Sequence, residues 1–145
     1  MRTKRSGFTL VEILIVVVIL GILAAIVIPQ FSDASSQAKD SSLRADLQTI
    51  RSQIELYKVQ HTDALPGAGT GTSFTEAMTG TTDVAGLKAG STYGPYLQAI
   101  PTNPFNGFNT ITEAAAATGS TNLTGWHWNT ATGYFQADST GHATW

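Results

Sequence analysis

Residues 6–28 read SGFTLVEILIVVVILGILAAIVI, and this stretch decides how the rest of the chain is organised. No residue from Ile13 to Ser32 is charged, so Glu12 places one carboxylate at the entrance to a long apolar run. About 20 residues of helix, at 1.5 Å each, match the roughly 30 Å hydrocarbon thickness of a bilayer. An unpartnered ionised carboxylate in hydrocarbon costs on the order of 3 kcal/mol. Glu12 therefore needs a partner.

The charges that flank the apolar run predict its orientation in a membrane. Arg2, Lys4 and Arg5 precede the run, and the first acidic residue after it is Asp33. Positive charge collects on the cytoplasmic side of membrane spans. We therefore expect the N-terminus in the cytoplasm and the bulk of the chain outside.

Two simpler explanations of the apolar run stay open on these residues. A secretory signal has an apolar core of about 7 to 15 residues, shorter than this one, followed by a small-residue cleavage site. Residues 32–34, Ser-Asp-Ala, would be a weak site of that kind. A plain single-pass anchor explains the length of the run but not Glu12.

Residues 4–12, KRSGFTLVE, with the apolar run and Pro29, closely resemble the N-terminal signature of the type IV pilin superfamily, which includes the pseudopilins of type II secretion. The resemblance implies that a prepilin peptidase cuts after Gly7 and methylates the new amine on Phe8. It also implies that the Glu12 carboxylate faces the Phe8 ammonium of a neighbouring subunit in a filament. Such a pair removes the cost that each buried charge carries alone, and it would set the register of assembly.

Composition limits the remaining functions. The chain has 145 residues, a formal net charge of -2 and no cysteine. Without residues 1–7, five basic residues would face ten acidic ones, so the mature surface is acidic. This balance argues against nucleic-acid binding by bulk electrostatics. Structural disulfides and thiolate metal sites are excluded.

A second helical pattern follows the apolar run. An apolar stripe at spacings of four, three, four and three consists of Leu43, Leu47, Ile50, Ile54 and Tyr57. This period predicts a helix with one buried face. Between Ile28 and His61 the only helix breaker is Pro29, so we expect one helix from Phe8 to about His61 with a bend at Pro29.

The C-terminal part reads as loops and short strands. Residues 64–73 are rich in Gly, Pro and Thr, and predict a loop. Residues 93–107, with three prolines, predict an ordered loop, and their GPYL segment resembles one common in major pseudopilins. Alternating aromatic and polar residues around Gly133 predict a hairpin. Its aromatic residues, expected to supply much of the core, are Trp126, Trp128, Tyr134 and Phe135.

No catalytic or metal-binding pattern is found. His61, His127 and His142 have no metal-ligand spacing, and we expect them to be surface or strand residues. We therefore predict no enzyme activity and no cofactor, and we assign no metal-binding residues; a calcium ion in the C-terminal loop is possible only by the family resemblance. Major pseudopilins commonly hold a calcium ion in a C-terminal loop, but after Phe105 this chain offers only Glu113 and Asp138 as carboxylates. The residues do not support that site.

The predicted fold is α+β and pilin-like, with a long N-terminal helix packed on a small antiparallel sheet. We expect four segments: a leader (1–7), an apolar half-helix for membrane and filament core (8–32), an amphipathic half-helix (33–61) and a loop-rich head with the C-terminal hairpin (62–145).

The predicted function is that of a subunit that polymerises with itself. The favoured role is the type II secretion pseudopilus that drives protein export. A type IV pilus subunit for adhesion, twitching or DNA uptake is the first alternative, and a monomeric membrane-anchored binding domain is the second. Expected partners are the inner membrane, a prepilin peptidase, an assembly platform and minor pilins or pseudopilins. The chain would be an inner-membrane protein before assembly and part of a periplasmic or extracellular filament afterwards.

Overall fold

The computed structural model describes residues 7–68, 71–88, 92–115 and 121–145. Its elements are helices α1 (Leu10–Gln60) and α2 (Phe74–Thr79) and strands β1 (Ile111–Ala114), β2 (Trp126–Asn129) and β3 (Phe135–Ala137). The chain divides into two compact units, one ending at Ala38 and one beginning at Lys39. We call the described part of the first, 7–38, the N-terminal unit, and the second the head unit. Of the predicted leader, 1–7, only Gly7 is described.

Helix α1 confirms the predicted long helix, beginning at Leu10 and ending at Gln60. It continues through Pro29, which is an exposed position, and the bend expected there stays a prediction. Every residue of the predicted stripe, from Leu43 to Tyr57, is buried. The 3.6-residue period thus identified the face of α1 that packs on the head.

The sheet has three strands in the order β1-β2-β3. Strands β2 and β3 form the predicted antiparallel hairpin, in which Trp128 pairs with Phe135. Strand β1 lies parallel to β2, with Ile111 opposite Trp126. The expectation of a wholly antiparallel sheet is wrong for this pair. Strand direction depends on the route of the connecting chain, 115–125, and alternation along a strand does not reveal that route.

The head unit has one hydrophobic core between the α1 stripe and the sheet. Its other members are Phe74, Ala77, Met78, Ile100, Trp126, Trp128, Phe135 and Ala137. The α+β pilin-like architecture is therefore confirmed. Tyr134 is the exception among the predicted core aromatics: it is 44% exposed and lies under the Arg51 guanidinium.

Helix α2 explains how the loops reach this core. Ser73 caps it, accepting from the Glu76 N–H, while the Glu76 carboxylate accepts from the Ser73 N–H. Such a capping box satisfies two donors that a helix start leaves free. At the other end, the Met78 carbonyl accepts from the N–H groups of Tyr96 and Leu97, which fastens the proline-rich loop to the core.

Candidate functional site

The N-terminal unit is an apolar surface that its own fold does not cover. Every large apolar side chain from Phe8 to Phe31 is exposed, with Phe8 at 84% and most others above half. None of the residues described in this unit is buried. A helix that is apolar on all sides is one that its functional environment buries. This surface has no use inside the monomer.

Helix α1 is also long and apolar enough in its N-terminal part to cross a membrane. Its length and composition alone meet this requirement, and the apolar segment of a cleavable signal sequence meets it as well. The finding is compatible with a membrane-anchored precursor.

Glu12 finds its first partner inside its own chain. Its Oε2 atom accepts from the Thr9 N–H at 2.7 Å and from the Thr9 hydroxyl at 2.8 Å. In return the Glu12 N–H donates to Thr9 Oγ1 at 3.2 Å. This reciprocal pair is a capping box, and the spacing Thr-x-x-Glu predicts it. The sequence interpretation considered Glu12 only as an intermolecular group and missed this local role.

The residues predicted for processing lie immediately before the helix. Gly7, Phe8 and Thr9 are exposed and lie outside α1. The Gly7–Phe8 bond is therefore in accessible, non-helical backbone, the form in which proteases bind substrates most readily. Three predicted site residues, Gly7, Phe8 and Glu12, lie within one short segment. Pro29 follows Glu12 by 17 residues, about 25 Å of helix at the usual rise. Cleavage, methylation and intermolecular pairing stay predictions.

One side-chain cluster in the head unit has the residue types of a hydrolase. Ser139 Oγ is 3.3 Å from His142 Nδ1, and His142 Nε2 is 3.5 Å from Asp40 Oδ1. Ser139 is only 1% exposed, so a substrate could not reach it. The His142 ring stacks on Phe105 at 4.0 Å. The cluster attaches the C-terminal turn to α1, and it has no accessible nucleophile.

Of the histidines expected at surface or strand positions, His127 meets the expectation and His61 does not. His127 lies in β2 and is buried. His61 is also fully buried, so the expectation is wrong for this residue. Its Nδ1 lies 2.9 Å from the Tyr57 carbonyl and its Nε2 lies 3.0 Å from Thr82 Oγ1. Both ring nitrogens are thus used in packing the end of α1.

Arg51 is a structural residue that the helical pattern did not identify. Its guanidinium donates to the Phe135 carbonyl through Nε at 3.0 Å and Nη2 at 2.8 Å. Nη2 also donates to the Tyr134 hydroxyl and to the Trp145 carbonyl. Arg51 therefore closes the outer edge of β3 against α1. Within the described residues, no group of three or more His, Cys, Asp or Glu side chains could hold a metal ion.

Comparison with known proteins agrees with the N-terminal signature. Residues 2–28 match the family model for the prokaryotic N-terminal methylation motif. Type II secretion system core protein G of Pseudomonas aeruginosa is 47% identical over 60 residues, 41% of this chain and 42% of that protein. Over these residues the chain resembles the type IV pilin superfamily. Within the superfamily it resembles the major pseudopilins.

Pilus proteins are also similar to this chain. The type IV narrow pilus major component PilA5 of Thermus thermophilus is 42% identical over 57 residues, 39% of this chain and 49% of that protein. The type IV major fimbrial protein FimA of Dichelobacter nodosus is 42% identical over 55 residues, 38% of this chain and 35% of that protein. The chain thus matches less than half the length of each of these relatives. No solved structure matches it.

Proposed function

We propose that this chain is a structural subunit that polymerises through its N-terminal helix into a filament outside the cytoplasm, and that the filament is a type II secretion pseudopilus. The observation that carries the proposal is the apolar surface of the N-terminal unit, which is exposed throughout the described residues 8–31. Burial of such surface contributes about 25 cal/mol per Å². Packing of this surface against the helices of neighbouring subunits therefore supplies the driving force for assembly.

The same surface suits two environments in succession. Before assembly it spans the inner membrane, with residues 1–7 on the cytoplasmic side, as the positive charges predict. After assembly the helices of neighbouring subunits replace lipid around it. An apolar surface on all sides serves both states, which explains why the segment carries no polar face.

Glu12 changes partner in this scheme. In the precursor its carboxylate is bound by Thr9. Cleavage after Gly7 would create a Phe8 ammonium, and that of a neighbouring subunit is the stronger partner because it is charged. The new pair would fix the stagger between subunits.

A type IV pilus subunit is the second candidate, supported by the similarity to PilA5 and FimA. A prepilin peptidase, an assembly platform and minor subunits are partners in either case. Deletion of the gene from its host separates the two candidates. Loss of extracellular enzymes with motility intact supports the pseudopilus, and the reverse supports a pilus.

The first experiment is intact-mass and N-terminal sequence measurement on the chain from sheared extracellular filaments, compared with the membrane fraction of the same cells. A filament species beginning at methylated Phe8 is the expected result. A chain that retains residues 1–7 in every fraction, or a soluble chain cut near Ala34, would overturn the proposal.

The second experiment separates the two partners of Glu12. Glu12→Gln keeps the shape and can still accept from Thr9, but it removes the charge needed for the ammonium. Thr9→Ala removes the capping hydroxyl and leaves the charge. We expect Glu12→Gln to abolish filaments while Thr9→Ala retains them, with both chains in the membrane at wild-type levels. Filament assembly by Glu12→Gln would contradict the proposed pairing with the Phe8 ammonium, whereas intact function without any filament would favour the monomeric membrane-anchored binding domain.

A further inference from the structure

The C-terminal loop of this chain differs from the calcium site that its resemblance to pseudopilins implies. Calcium binds six to eight oxygen ligands, and carboxylates usually supply several of them. Glu113, one of the two carboxylates available after Phe105, accepts from the Phe74 N–H at 3.0 Å. Asp138 is the other, and its environment decides whether the residues fit the ion.

The Asp138 carboxylate is surrounded by hydrogen-bond donors. It is 3% exposed and accepts from the N–H and hydroxyl of Thr121. The Asn122 N–H donates to it at 3.3 Å, the Thr124 N–H at 3.1 Å and the Thr124 hydroxyl at 2.8 Å. Donors direct hydrogens at the carboxylate, so both of its oxygens are engaged. A cation would find positive polarity where it needs lone pairs.

Two carbonyl oxygens of the same loop, those of Thr124 and Gly125, are also engaged. The Thr124 carbonyl accepts from Asn106 Nδ2 at 2.8 Å. The Gly125 carbonyl accepts from Asn103 Nδ2 at 2.8 Å and from the Asp138 N–H at 3.0 Å. Two asparagine side chains from the proline-rich loop thus bind carbonyl oxygens of this loop, which leaves fewer lone pairs for an ion. The residues present do not fit the ion.

We propose that the Asp138 carboxylate, bound by the donors of residues 121–124, replaces calcium as the organising centre of the C-terminal loop, so that the head unit folds without calcium. A calcium site gathers oxygen atoms around a positive centre. This loop gathers N–H and O–H groups around a negative centre. Both arrangements join the loop to the last strand, and this one needs no ion from the surroundings.

The titration behaviour of Asp138 is consistent with this arrangement. Burial alone would raise the pKa of its carboxyl, but hydrogen bonds from Thr121 and Thr124 outweigh burial and hold the pKa below its usual value. The network therefore stabilises the ionised form.

The test is thermal unfolding of the full chain in detergent, with excess calcium chloride or with EDTA. Near-ultraviolet circular dichroism reports the head unit, because all three tryptophans, Trp126, Trp128 and Trp145, belong to it. We expect Tm values within about 1 °C of each other in the two conditions. Asp138→Asn should lower Tm by about 5 °C or more in both conditions. The NH2 group of the new amide cannot accept hydrogen bonds from the donors that surround the carboxylate.

Two variants keep the test decisive. Asp63→Asn removes the same charge from an exposed position and should leave Tm unchanged. Thr124→Val removes one donor at nearly constant shape, and it replaces Asp138→Asn if that chain does not fold. We expect Thr124→Val to lower Tm to the same extent with and without calcium. A calcium-dependent rise of about 10 °C in the wild type, absent from Thr124→Val or Asp138→Asn, would overturn the proposal. Filament formation is not measured here, so failure would leave the proposed function intact.

Discussion

The two units of this chain use one helix in opposite ways. In the N-terminal unit α1 exposes all of its large apolar side chains, whereas in the head unit it buries a single stripe from Leu43 to Tyr57. The two units also differ in their polar contacts, which are local in the N-terminal unit and join distant segments in the head unit. The N-terminal unit has the Thr9–Glu12 capping box, and the head has networks around Arg51 and Asp138. The head half of the helix buries its apolar stripe, whereas the N-terminal half leaves its large apolar side chains exposed.

The sharpest test of this contrast places a charge in each half of α1. Ile19 and Val59 are both exposed apolar residues of the same helix. Ile19→Lys should lower the amount of chain in sheared filaments by about 100-fold, because a lysine inside hydrocarbon or a helix bundle is costly. Val59→Lys should leave it within about twofold. Immunoblots of filament and whole-cell fractions measure both, and equal losses would contradict the division of roles.

The next largest effect concerns packing. Leu47→Ala should lower the free energy of unfolding of the head by about 2–5 kcal/mol, because Leu47 is 2% exposed in a closed core. Leu20→Ala, at a 59% exposed position, should leave that free energy unchanged in the monomer. Denaturant titrations in detergent, followed by near-ultraviolet circular dichroism, give both values. A large effect of Leu20→Ala would mean that the apolar half contributes to head stability.

A third pair compares an engaged arginine with an ordinary surface ion pair. Arg51→Met should lower the free energy of unfolding of the head unit by about 1–3 kcal/mol. The Phe135 carbonyl would lose the two hydrogen bonds that it accepts from this side chain. Lys58→Met, which breaks only the contact with Glu55, should cost less than about 1 kcal/mol. The same titrations measure both variants. If the two costs were equal, Arg51 would be a surface residue and not a structural link.

The smallest effect is a pH dependence. The pKa of Asp138 is lowered on folding, so its contribution is present above the unfolded pKa of about 3.9 and is lost as pH falls through the lower native value. The Tm difference between wild type and Asp138→Asn should therefore be constant near neutral pH and shrink below about pH 4. Melting curves from pH 7 to pH 2 measure this difference. A difference that grows in acid would mean that the native carboxyl has a raised pKa.

Much of the fold and part of the site followed from local pattern. The apolar run, the α1 stripe and the β2–β3 hairpin depend on the spacing of residues along one element, which the chain displays directly. The Thr9–Glu12 capping box belongs to the same class, although only its Glu12 was singled out. The roles of Gly7 and Phe8 were predicted from resemblance to a family, because cleavage and methylation require an enzyme and leave no pattern within the folded chain.

What the sequence by itself determined is therefore the apolar half-helix, its entrance at Glu12 and the buried face of the rest of α1. Only the tertiary structure decided that β1 runs parallel to β2, and that Arg51 binds a strand 84 residues away. The donors around Asp138, 14 to 17 residues before it, were also decided there. The physical reason is that periodicity records which face of an element is buried. The partner of a polar side chain depends instead on which distant segment folding places beside it.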